Sequence, residues 1–79
     1  MGQSRYVRDH FAPMLARVDA ARAAWYAASD AAQAFEKENP ADHEGIVVAY
    51  SASKRALASY DAEAAELGRS FAALAAVIL

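Results

Sequence analysis

Two histidines and a scatter of carboxylates are the groups best suited to metal binding or proton transfer in this 79-residue chain. Asp42-His43-Glu44 places one imidazole between two carboxylates. Protein metal sites need three or four converging ligands on rigid elements, so a single loop histidine makes a poor one. His10 lies far from His43 in sequence. Glu63 and Glu66 are three residues apart and share a helix face. Di-metal helical bundles need inward-facing carboxylates together with Glu-x-x-His, and that pattern is missing. There is no glycine-rich phosphate loop, and no Ser–His pairing that would activate a nucleophile. The absence of cysteine excludes disulfides and thiolate chemistry. The sequence therefore offers no catalytic residue, no metal ligand set and no cofactor site, and it reads as non-enzymatic.

The arginines suggest a different chemistry. Arg5, Arg8, Arg17 and Arg22, with Lys54, Arg55 and Arg69, could track phosphates along a helical rod. Yet ten acidic residues outweigh eight basic ones, and Asp9, Asp19 and Asp61 interrupt the stripe. Phosphate affinity depends on concentrated positive charge, so a nucleic-acid-binding hairpin dimer is a weaker alternative. The charge is also uneven: residues 30–45 are acidic, whereas residues 1–29 are mildly basic.

The elements that must position these groups are helices. Alanine supplies more than a quarter of the residues, against three glycines and two prolines. It is the best helix former because it loses no side-chain entropy on ordering. Before Asn39-Pro40, apolar or small residues recur at Val7, Phe11, Met14, Val18, Ala21, Trp25, Ala28, Ala32 and Phe35, in steps alternating between 4 and 3. After it, the same steps run through Ile46, Tyr50, Ser53, Leu57, Tyr60, Ala64, Leu67, Phe71, Leu74 and Ile78. A repeat averaging 3.5 residues is the pattern of a coiled-coil seam.

The fold class is accordingly all-α: an antiparallel two-helix hairpin forming a single domain over 1–79. Helix 1 is expected at about 5–38, the turn at about 39–45 and helix 2 at about 46–78. Asn39 could end the first helix or cap the second with Pro40 at its first position. Opposed positions whose numbers sum to 85 give flush ends, placing Trp25 on Tyr60 and Arg22 beside Asp61; the alternative sum of 78 leaves Ala75 to Leu79 overhanging and sets Arg22 against Lys54, so 85 is preferred. Pro13 is the misfit, since it removes a helical hydrogen bond. Either the first helix continues through it, or the helix starts later, capped by Asp9.

One hairpin of this length buries little of itself. A second apolar surface is present: Ala20, Ala24, Ala27 and Ala31 line one side of the first helix. Ala49, Ala52 and Ala56 occupy the matching side of the second. Packing through these faces would give a homodimeric four-helix bundle.

The segment SFAALAAVIL, Ser70 to Leu79, is apolar on nearly every face and needs cover on several sides. At about half the ~20 residues of a membrane span, it is expected to meet protein instead. With Tyr6, Arg8 and Phe11 from the first helix, it forms the expected partner-binding end. Arg69, Phe71 and Leu74 contribute from the second helix, followed by Val77, Ile78 and Leu79. Nothing in the first ten residues resembles a signal peptide, and a cytoplasmic location is expected. The functional expectation is a protein-interaction module, an adaptor, inhibitor or regulator. Its alternative is a structural subunit of a larger assembly such as a secretion filament.

Overall fold

The computed structural model describes residues 2–78, and the side chains of residue 5 and of residues 8–77. It is an all-helical hairpin: α1, Gly2–Glu38, packs antiparallel on α2, His43–Ile78. The rod measures 58 × 19 × 12 Å.

The reversal between the helices is built from local polar chemistry. The Asn39 backbone N–H donates to the Phe35 carbonyl at 2.8 Å, and the Asn39 side-chain amide donates to the same oxygen at 3.2 Å. Asn39 thereby closes α1. The Asp42 N–H then donates to the Asn39 carbonyl at 3.1 Å, closing a four-residue turn with Pro40 in its second position. No described residue has positive φ, which excludes the type II geometry and leaves a turn of the type I kind, for which proline's fixed φ is preset. Asp42 caps α2: its Oδ1 accepts from the Gly45 N–H at 3.0 Å, as N-cap carboxylates do.

Of the two roles open to Asn39 the first holds: it ends α1, and Asp42 caps α2. The expected turn at about 39–45 is too long, since α2 begins at His43 and Gly45 lies in its first turn. A Cβ there would stand 2.5 Å from the Phe35 ring and 2.5 Å from the Asp42 carboxylate, so any larger residue would have to displace both side chains.

The seam follows the alternating steps. Within the described side chains, every expected seam position of α1 is buried or half-buried, from Phe11 to Phe35. On α2 the same holds from Ile46 to Leu74, except at Phe71, which is 60% exposed. Trp25 and Tyr60 stack with ring centroids 5.7 Å apart, the pairing of the sum-85 register, whereas Phe11 meets Phe71 rather than the Leu74 that this register sets opposite it. Arg22 does not reach Asp61; it bridges Asp19 on its own helix, Nη2 to Oδ1, at 2.9 Å. The cross-helix ion pair is instead Arg17 to Glu63 at 3.3 Å. Ser29 and Ser53 share a hydroxyl hydrogen bond of 2.7 Å between the helices.

α1 continues through Pro13 without a later start. Pro13 is exposed, so the Asp9 carbonyl it leaves without a helical donor can turn to water.

Candidate functional site

Only Phe11, at 5% exposure, and Ala32, at 0%, are fully buried among the described residues. The remaining apolar side chains are half-covered or open, and the open ones fall into patches.

The main patch is a groove at the end of the rod opposite the turn, about 570 Å³ in volume. Its walls come from seam residues and their next neighbours. Phe11 and Leu15 stand on α1, with Leu67 and Phe71 on α2. Phe11 and Phe71 touch at a ring-centroid distance of 5.6 Å, yet Phe71 is 60% exposed and Leu15 50%. Gly68 faces this open space: a Cβ there would meet nothing within 4 Å. Arg8, itself exposed, is the charged residue lining the groove.

Which side of the hairpin opens follows from sequence position. Leu15 and Gly68 each come one residue after a seam position, Met14 and Leu67. Arg17 and Glu63 each come one residue before one, Val18 and Ala64. In an antiparallel pair these two classes lie on opposite flanks. The groove therefore occupies one flank, and the Arg17–Glu63 bridge crosses the other. Ala24, Ala31, Ala49 and Ala56 share the bridged flank by the same arithmetic.

The expected partner-binding residues are distributed as follows. Arg8, Phe11 and Phe71 line the groove. Arg69 is exposed and Leu74 half-buried, neither lining it, while Val77 is 84% exposed at the tip. The side chains of Tyr6 and Ile78, and all of Leu79, lie outside the described residues. Leu15, Leu67 and Gly68 were not anticipated as part of the site. The sequence signal for them was available: a large apolar residue just outside the seam on one helix, and a glycine in the matching place on the other. Of the expected dimer-face residues, Ala20, Ala24, Ala27 and Ala31 are exposed, and Ala49, Ala52 and Ala56 are half-buried.

A smaller patch sits at the turn end, where Val47 and Val48, 64% and 67% exposed, lie with His43 and Glu44. His10 packs edge-on against Phe11 at 5.0 Å. Among the described residues no three His, Cys, Asp or Glu side chains converge as a metal site would require. Glu63 is engaged by Arg17, and Glu66 is exposed. No described helix is long and apolar enough to cross a membrane. The chain matches no known family model, no curated protein and no solved structure.

Proposed function

We propose that this protein is a non-enzymatic interaction module, a small adaptor, inhibitor or regulator that binds another protein through the groove at the open end of the hairpin. The observation that carries the reading is the groove itself: an apolar opening of about 570 Å³ with two large apolar side chains half or more exposed beside it. Contiguous apolar surface of this kind marks interaction sites, and aromatic and arginine anchors such as Phe71 and Arg8 carry much of the energy where proteins bind. Two of the α1 arginines, Arg17 and Arg22, are already engaged by carboxylates, which weighs against a phosphate-tracking stripe.

The module acts as a homodimer packed through the alanine faces into a four-helix bundle. Its surface of 5899 Å² supports this, because a folded monomer of 8.4 kDa ordinarily exposes roughly 4,600 Å². The excess of roughly 1,300 Å² is of the size that one partner contributes to a stable homodimer interface. Ala20, Ala24, Ala27 and Ala31, all exposed, let helix backbones approach closely.

A second reading, a subunit of a larger assembly, is favoured by one observation: apolar patches at both ends of a 58 Å rod. Head-to-tail contact between unlike ends produces open filaments. It calls for species heavier than a dimer that grow with concentration and dissolve on Val47→Glu.

The binding reading is tested by affinity capture from the native host followed by crosslinking mass spectrometry. Crosslinks should map to the open end, and Phe71→Glu should abolish capture while leaving the helical circular dichroism unchanged. Capture unaffected by Phe71→Glu would contradict the reading.

A further inference from the structure

We propose that the groove's partner is an amphipathic α-helix whose apolar stripe enters between α1 and α2 and which carries a carboxylate opposite Arg8. This deepens the protein-binding reading above and rests on it.

Charge complementarity is the first argument. Arg8 is the charged residue of an otherwise apolar lining, and neither it nor Arg5, three residues earlier, forms an ion pair among the described residues. Arg17 and Arg22, farther along the same helix, both do. Asp9 and Glu66 fall within the two stretches that form the groove but neither lines it. Among the described residues, the groove therefore presents the positive charge of Arg8 with no carboxylate in its lining. A partner that buried the groove while leaving Arg8 without an anion would lose a charge-assisted hydrogen bond, and a carboxylate gains one.

Shape is the second argument. The lining spans Arg8 to Leu15 on α1 and Ala64 to Phe71 on α2, or about 10 Å along each axis at helical rise. That is two turns, the length over which a helix presents anchors at i, i+3 or i+4, and i+7. Both walls are helices whose main-chain groups are spent on their own hydrogen bonds, so an added strand would find no sheet edge to pair with. Recognition must come from side chains, which a third helix laid against two others supplies.

The test uses a displayed library of 18-residue peptides with a helical scaffold and randomised face and flank positions, selected against the full chain. The expected result is enrichment of helical peptides with an apolar i, i+4, i+7 stripe and an Asp or Glu at one end. A representative peptide should lose about tenfold in affinity on Arg8→Ala, and reselection against Arg8→Glu should replace the acid by Lys or Arg. Gly68→Phe fills the groove from a position with open space around it and should abolish binding with helicity retained.

Enriched helices indifferent to Arg8→Glu, but lost on Gly68→Phe, would overturn the carboxylate-bearing helix while leaving the groove a protein site. Binders that stay unstructured, or a library with no enrichment, would likewise overturn it. Helices that bind undiminished to Gly68→Phe would overturn both the inference and the groove reading. A fall in the mass of the free chain on Gly68→Phe would assign the groove to a second copy and overturn the proposal.

Discussion

The two ends of the rod are made from the same kinds of residue and put them to opposite use. At the turn end, glycine permits contact: Gly45 lets the Phe35 ring sit where a Cβ would otherwise stand. At the open end, glycine leaves a gap, for nothing approaches the site of a Gly68 Cβ. Both prolines follow the same division. Pro40 stands inside a hydrogen-bonded turn between a capped helix end and a capped helix start. Pro13 interrupts the bonding of a helix that continues past it. The difference separates residues that fix a fold from residues that keep surface available. The turn end closes its polar groups internally and leaves Val47 and Val48 open on its surface, whereas the open end leaves a groove between the helices themselves.

The largest effect of a single substitution is expected in the region nearer the turn. Ala32 is fully enclosed between the helices, so Ala32→Glu should cost about 3 kcal/mol or more, the penalty of an unpaired buried charge, and should collapse the helical circular dichroism. A well-folded Ala32→Glu chain would mean that the helices do not meet there.

The same substitution at the two glycines gives the next largest contrast. Gly68→Ala should raise stability by about 1 kcal/mol, since alanine's helical advantage meets no steric opposition. Gly45→Ala gains that advantage but must displace Phe35, and overpacking costs roughly 1–3 kcal/mol. The net effect should be a loss of about 1 kcal/mol. Chemical denaturation of both variants should show opposite signs, and equal signs would erase the distinction between the ends.

Loss of the cap in Asp42→Ala should cost about 1 kcal/mol, read as a lower denaturation midpoint. The smallest effect belongs to Arg17→Ala. Its bridge to Glu63 is 48% and 32% exposed on the two sides, and such surface pairs contribute about 0.5 kcal/mol or less. A larger loss would make the bridged flank a structural element in its own right.

The fold was legible in the sequence because a repeat of alternating 4 and 3 steps admits few arrangements, and Asn39-Pro40 marks one reversal. The meeting of Trp25 with Tyr60 was legible from the seam positions, whereas Phe11 on Phe71 and Ser29 on Ser53 were not. The sequence leaves the caps open, because Asn39 and Asp42 are both good cap residues and only the hydrogen-bond geometry divides their roles. Gly45 fell inside the expected turn because composition does not distinguish a glycine of a turn from one in the first turn of a helix. The groove was half legible. Arg8, Phe11 and Phe71 stood out by type, whereas Leu15 and Gly68 matter only through what faces them across the hairpin.

The division proposed above gives the alanine flank to self-association and the groove to a partner. Sedimentation equilibrium on Ala27→Glu and Gly68→Phe, side by side with the parent chain at micromolar concentration, tests it most directly. The parent and Gly68→Phe should both sediment at twice the 8.4 kDa chain mass, and Ala27→Glu should fall toward the mass of one chain. A monomeric parent, or a dimer lost on Gly68→Phe and kept on Ala27→Glu, would contradict the account.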